Sequence, residues 1–494
     1  MRHGIRIASG TCTFLLTFAL ISNTHAYNLE SRFAELRSSR SDNAPAVADN
    51  TPSRFSHPSS SVSFPESRPS TSRSTNFSTY ITNRSILPSR NAPQTTPAQN
   101  ISNTAKISHD FTPTRGATPG MIQPTSNGLI KSFISDTQQA TRANTYDQAL
   151  AVKCFLASGD KTSAQTVLDY FKNIRDAYKN TPQGQANPGI VFFKSYNIDS
   201  GIGSVSEDIM RTGDTAWLGL ASLQYSKNTG SNTYTQLARD IGDYLVSLDA
   251  ADNGTPGLLQ DPRYGSTVKS TEENIDAYMF LKQLGAQTRD KKYTQTANTT
   301  LTYIKSMFNT DGNYFNCGSS GSNIDTMFLT DVQAMAIFAF GKDGLESMGI
   351  DVKAFVASVE TRGQVKDAPY TTLSGEPATV TGFGFTENDN KISAEWTAQM
   401  VIAYLVLAND YENDGDLATA QQYYDKAEFY YTELGKMANA QGNLPYSTSK
   451  NAVIVASWGF NTSDDSGALS ATAYYQLACA GDNPYTPEVE NLWK

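Results

Sequence analysis

Histidine is scarce in this 494-residue chain, and its placement says more than its number. The four are His3, His25, His57 and His109, and none occurs from Ser126 to Lys494. That stretch therefore builds no Ser-His-Asp triad, His-ligated zinc site or histidine acid–base pair. Basic charge is also short. The 39 Lys and Arg against 48 Asp and Glu leave a net charge of -9, so nucleic acid is not an expected partner. Apolar runs long enough to cross a membrane are absent beyond the N-terminus, and no span is expected. Of four cysteines, Cys12 falls in the leader described next, which leaves Cys154, Cys317 and Cys479. No cofactor or metal is expected, and a monomer is.

Residues 1–26 have the layout of a secretory signal. Arg2 and Arg6 start it, Thr11–Ile21 is a short apolar core, and Thr24-His25-Ala26 is a small-residue cleavage site before Tyr27. The expectation is a protein outside the cytoplasm, secreted or periplasmic. Residues 27–125 are rich in Ser, Thr, Pro and Asn with scattered single hydrophobes. Such a stretch buries too little apolar surface to offset ordering entropy and reads as a disordered spacer.

From Ser126 the character changes. Five segments open on an acid and run on into a dozen mostly apolar, Ala-rich residues, at Asp147, Asp214, Glu272-Glu273, Asp331 and Glu395. A sixth, Ser470-Ala-Thr-Ala-Tyr474, has the same shape without the carboxylate. The starts recur about every 60 to 75 residues. Segments apolar on nearly every face are buried helices. The stretches between them are amphipathic and half-exposed: Thr162–Tyr178, Tyr234–Leu248, Tyr293–Phe308, Val352–Val359 and Ala418–Met437. The repeating unit is a buried helix, a loop and a half-exposed helix. An open solenoid of the tetratricopeptide kind is one architecture for it, and a closed toroid of six hairpins is the other. Six units, a long period and very apolar inner helices favour closure. Closure makes the helices of Cys154 and Cys479 neighbours. The pair is read as two small buried residues, with a disulfide as the alternative.

At this point the chain, read as one domain over residues 126–494, resembles the six-hairpin (α/α)6-toroid glycosidase-like proteins over about residues 126–485. The resemblance rests on TYDQALAV (145–152), DTAWLGLASLQY (214–225), STEENIDAYMFL (270–281), TDVQAMAIFAF (330–340), SAEWTAQMVIAYL (393–405) and SATAYYQLACAGDNPY (470–485). It implies an all-α fold, a carbohydrate substrate and hydrolysis with inversion. In the related pattern a histidine follows the first Glu of the STE stretch, and this chain has Glu273 there. The (α/α)6 sugar 2-epimerases, which depend on histidine, fit less well.

Glycoside hydrolysis needs two carboxyl groups, one protonated and one ionised. Acids at the starts of buried helices can supply both, because a helix N-terminus lowers a carboxyl pKa and apolar surroundings raise it. Glu395, beside Trp396, is the candidate acid, and Glu272 its partner, with Glu273 and Asp276 as rivals and Asp147, Asp214 or Asp331 as alternative bases. Asp147, Asp214, Glu273, Asp276 and Asp331 are candidates for binding sugar hydroxyls or placing water. Their bland alternative is plain helix capping. Trp217, Trp396 and Trp458 fall at the same expected end of the ring, where aromatic faces stack on sugar rings. Tyr146, Arg263 and Tyr264 are weaker candidates. A polysaccharide lyase, with Tyr as base and Arg or Lys facing a uronate, is the second reading. A non-catalytic glycan-binding or helical scaffold protein is the third. The run Asp410–Asp416 matches the first half of a calcium loop, but Gln421 stands where the closing Glu belongs. It reads as a solvated hairpin loop.

Overall fold

The computed structural model describes residues 111, 113, 119–134, 141–187, 189–251, 255–261, 266–372, 375–449, 453–455, 458–459 and 467–494. The expected leader, nearly all of the spacer, Arg263 and Tyr264 lie outside these residues. The domain begins earlier than Ser126. Met121 and Ile122 are buried, and Phe111 packs edge-on against Tyr431 and Trp493. Their isolation in a polar stretch concealed them, because the surface that covers them comes from the far end of the chain.

The helices, in chain order, are α1 (Thr145–Ser158), α2 (Lys161–Lys179), the short α3 (Pro182–Ala186), α4 (Thr212–Thr229), α5 (Thr235–Ala251), α6 (Thr271–Thr288), α7 (Lys291–Ser306), α8 (Thr330–Ser347), α9 (Val352–Gly363), α10 (Ala394–Asn413), α11 (Leu417–Gly435) and α12 (Leu469–Ala480). Helices α1, α4, α6, α8, α10 and α12 each pack on the next, and α12 packs back on α1. They form a closed inner ring, and α2, α5, α7, α9 and α11 lie outside it. On α10 every residue from Ala394 to Ala408 is buried, as an all-round apolar sequence requires. Four outer helices instead start on exposed or half-exposed capping aspartates. Asp160, Asp290, Asp351 and Asp416 each accept a backbone N–H of the first turn of their own helix.

A six-fold hydrogen-bond pattern explains the repeat. The fourth helical residue of each inner helix grips the backbone of an apolar residue in the preceding loop. Gln148 takes Ile130, Asn274 takes Leu258 and Gln333 takes Phe315, each giving its amide N–H to the carbonyl and accepting the backbone N–H. Thr215 accepts from Phe192, Thr397 from Phe383 and Thr472 from Leu444. The first helical residue ties the same helix to the loop that follows. The hydroxyls of Thr145, Thr212, Thr271 and Thr330 donate to carbonyls of Phe193, Leu259, Asn316 and Gly384. The backbone N–H of Leu469, which opens α12, donates to Ser132 ahead of α1 and closes the circle. First-turn N–H groups and loop backbones, which would otherwise be buried without partners, are thus satisfied around the ring.

The structure departs from an all-α reading in its loops. They hold short antiparallel pairs: β1 (Arg142–Asn144), β2 (Phe193–Asn197) and β3 (Val205–Met210) in one sheet, with β4 (Val268–Ser270), β5 (Phe308–Asn309), β6 (Tyr314–Phe315), β7 (Gly318–Ser320), β8 (Asn323–Asp325), β9 (Gln364–Thr371), β10 (Pro377–Phe383), β11 (Val453–Val455) and β12 (Trp458–Gly459) in four others. Most are too short to show a period of two. The sixth hairpin also differs. Among the described residues no outer helix follows α12. Residues 481–494 instead cross the C-terminal ends of the inner helices, where Tyr485, Pro487 and Leu492 carbonyls accept from Gln283, Asn228 and Asn409. The Asn-Pro-Tyr segment thereby floors the ring. Asn483 donates to the Phe338 carbonyl, and the Tyr485 ring stacks on Trp217 at 5.1 Å.

The calcium-like run is used internally. Asp410 accepts the Lys342 N–H beside the left-handed Gly341, Asp414 pairs with the Lys342 ammonium at 2.7 Å, and Asp416 caps α11. Cys154 and Cys479 are buried and not disulfide-bonded, and the Cys154 thiol donates to the Ala473 carbonyl of α12. The two helices are neighbours as expected, without a bond between the sulfurs. No helix among the described residues is long and apolar enough to cross a membrane.

Candidate active site

The ring brings seven acids to one end: Asp147 on α1, Asp214 on α4, Glu272, Glu273 and Asp276 on α6, Asp331 on α8 and Glu395 on α10. None is an N-cap. That position is held by Asn144, Arg211, Ser270, Leu329 and Ser393. Capping therefore does not account for them. Nor does the helix dipole win, since burial raises all seven carboxyl pKa values. A dipole contribution of about 0.3–1 kcal/mol is smaller than the cost of taking a charge out of water.

Glu395 is 6% exposed. Its Oε2 accepts from Ser470 at 2.6 Å and its Oε1 lies 3.0 Å from the Tyr146 hydroxyl. Burial, with Asp147 and Asp331 adding like charge, pushes it up to about 8 against these hydrogen bonds. Ser470 holds on α12 the position that Glu395 holds on α10, the second helical residue. The carboxylate-free sixth start is thus an anchor for the fifth. Glu272 is half-buried and makes no hydrogen bond among the described residues. Burial first, then Asp331, Asp276 and Glu273, hold its carboxyl well above the usual range. Asp331 is buried, pushed up to about 7 by burial, and accepts the backbone N–H of its neighbour Val332.

The other acids are engaged. Glu273 accepts from Gln260 at 2.6 Å, from the Gly213 N–H at 3.1 Å and from Arg211 at 3.4 Å. It ties α6 to the start of α4, and a Cβ on Gly213 would meet its Cγ at 2.7 Å. Asp276, one turn deeper, accepts the Tyr485 hydroxyl. Asp147 accepts the Asn144 amide at 3.1 Å and is pushed up only to about 6. Asp214 reaches about 7 by burial, opposed chiefly by Arg211. Lys194 and Arg142 pair with Glu207 on the adjoining sheet at 3.1 and 3.2 Å.

The tryptophans are placed differently from the expectation of stacking faces. Trp217 is 1% exposed. Tyr485 covers its face, and Tyr146 and Tyr474 meet it edge-on. It floors the site. Trp396 is buried edge-on against Phe385. Trp458 falls in β12, with its side chain outside the described residues. A large aromatic after a buried helix start packs inward, because the helix is buried on all sides. The aromatic that feels Glu395, Asp331, Asp147 and Glu272 together is Tyr446, on the loop before α12 and stacked on Phe385. Nothing local in the sequence marks it. Tyr474 and Tyr485 were equally hidden, although both lie in the stretch that carries the family resemblance.

A closed ring of inner helices with acids gathered at one mouth is the six-hairpin glycosidase-like fold, and this chain has it. Solved structures bear this out. A wild-type glycosidase superposes with a TM-score of 0.50 at 13% identity, covering 73% of this chain and 92% of its own. A D-mannose isomerase superposes with a TM-score of 0.52 at 14% identity, covering 74% and 93%. No protein-family model matches the chain, and neither does any curated protein. One fold here carries a glycosidase and an isomerase, so the reaction is argued from the site.

Proposed function

We propose that this protein is an exported glycoside hydrolase that cleaves an uncharged oligo- or polysaccharide. The observation that carries the reading is Glu395. It is a buried carboxyl, held through both oxygens by hydroxyls, with a pKa raised to about 8. At neutral pH it carries a proton in a fixed place, as a general acid for a leaving glycosidic oxygen must. Glu272 and Asp331 repel each other, and one of such a pair ionises while holding the other protonated. The pair supplies the carboxylate that activates water, and Glu272, half-buried and without a hydrogen bond among the described residues, is the member placed to use it. Asp147 and Asp214 bind hydroxyls at the rim.

The acids favour an uncharged substrate over a polyanion. A lyase needs a cation to neutralise a uronate, and here Arg211 faces Glu273 while Lys194 faces Glu207. The test is a polysaccharide panel followed by reducing-sugar release and by absorbance at about 235 nm, a wavelength set by the unsaturated product of a lyase. New reducing ends without absorbance are expected from neutral glycans. Rising absorbance on uronate polymers would establish the lyase instead. Silence with retention on a glycan column would make it a binding protein.

A further inference from the structure

Beneath Glu395 runs a line of hydroxyls that ends in an amide. Tyr146 lies 3.0 Å from Glu395 Oε1 and 3.2 Å from the Tyr474 hydroxyl. Gln399, one turn below Glu395 on α10, lies beside Tyr474 and lowers its pKa against the effect of burial. Gln399 is 1% exposed, and its Oε1 has no partner. A buried acceptor left so costs about 1–3 kcal/mol unless it is used in another state.

Proton counting supplies that state. A tyrosine hydroxyl has one proton, so Tyr146 donates to Glu395 or to Tyr474, never to both. With Glu395 ionised, Gln399 Nε2 donates to Tyr474, Tyr474 to Tyr146 and Tyr146 to the carboxylate. With Glu395 protonated, each bond reverses. The carboxyl donates to Tyr146, Tyr146 to Tyr474, and Tyr474 needs an acceptor. A half-turn of the Gln399 amide presents Oε1 in place of Nε2. A primary amide suits such an end because it both donates and accepts.

We propose that Tyr146, Tyr474 and Gln399 form a reversible hydrogen-bond chain that holds Glu395 in one position whether or not it carries its proton. The proposal rests on the reading of Glu395 as proton donor. In the step it serves, the Glu395 O–H bond breaks and its proton passes to the leaving glycosidic oxygen. The hydroxyls and the amide then turn, and no proton in the chain changes owner. Ser470 holds Oε2 throughout. The other groups facing Glu395 are Asp147 from α1, Asp331 from α8 and Tyr446 from the loop before α12. Tyr146, Tyr474 and Gln399 are positioning residues.

The test follows the carboxyl directly. Infrared difference titration of the full chain, with the Glu395 band assigned by Glu395→Gln, gives its midpoint without any substrate. Gln399→Leu strands the Tyr474 proton only when Glu395 is protonated, so the midpoint falls by about one pH unit. Tyr474→Phe strands the Tyr146 proton in the same state and lowers the midpoint too, which keeps the test available if Gln399→Leu does not fold. A merely structural amide predicts the opposite sign, because a leucine desolvates Glu395 further and raises its midpoint. A rise or no shift in the folded variants overturns the chain, as does a Glu395 ionised throughout about pH 4 to 10. Failure to cleave any glycan would overturn the hydrolase reading and leave this titration informative.

Discussion

Glu273 and Glu395 both open buried helices at the same end of the ring, and they do different work. Glu273 is the third helical residue of α6, as Asp147 and Asp214 are the third of α1 and α4. Glu272, Asp331, Glu395 and Ser470 are the second residues of α6, α8, α10 and α12. Successive residues point about 100° apart around a helix. The shift by one position therefore decides what each acid meets. The third-position acids meet Asn144, or Arg211 with Lys194, or Arg211 with Gln260 and a backbone N–H. At the second position Glu395 meets hydroxyls, and no cation figures among the groups that set its pKa or that of Asp331. Glu272 feels Arg211 less than it feels Asp331, Asp276 or Glu273. Glu273 ties α6 to the start of α4 beside a cation, while Glu395 reaches α1 and α12 through hydroxyls alone and Glu272 beside Asp331 stays charge-frustrated.

The comparison is broken most forcefully on the second-position side. Glu272→Gln should keep the fold and lower kcat by about 10²–10⁴-fold, read as reducing-sugar release from whichever glycan the panel finds. On the other side, Arg211→Leu leaves Glu273 buried without its cation, and denaturant unfolding should show a loss of about 3–5 kcal/mol. The pH dependence sharpens the contrast. Carboxyls raised in the folded state hold protons that the unfolded chain releases above its ordinary values, about 3.9 for Asp and about 4.3 for Glu. Their stabilising effect is complete below those values and is lost as pH rises through the folded values of about 6 for Asp147, 7 for Asp331 and 8 for Glu395. Unfolding midpoints should therefore fall from pH 5 to pH 8, and Glu395→Gln should recover about 1–3 kcal/mol at pH 8. The smallest effects lie in the ring clamps. Thr215→Val should cost about 1 kcal/mol and Gln333→Leu, which breaks a reciprocal pair, about 2, with no change in the pH slope.

Much of this frame is legible in the sequence, because helices apolar on all sides and spaced regularly have few ways to pack. Asp160, Asp290, Asp351 and Asp416 mark outer-helix starts by ordinary capping chemistry. The acids of the mouth are legible as a group. Their division is not, since it depends on which residue begins the helix, the boundary a sequence locates least well. Arg211, Gln260 and Tyr485 reach the acids from other loops or from the C-terminal tail, and no local pattern announces such contacts. Trp217 and Trp396 misled for a related reason. Their place beside acids suggested sugar-stacking faces, while the closed ring turns them into packing.

The most direct test sets Glu395→Gln beside Glu273→Gln, with kcat/KM and thermal midpoint measured for each at about pH 7, below the value of about 8 to which Glu395 is raised. The expected result is crossed. Glu395→Gln loses nearly all activity and keeps or gains stability, while Glu273→Gln loses stability and retains activity in the molecules that stay folded. Equal losses of activity in both, or a destabilised but active Glu395→Gln, would contradict the division of the acids.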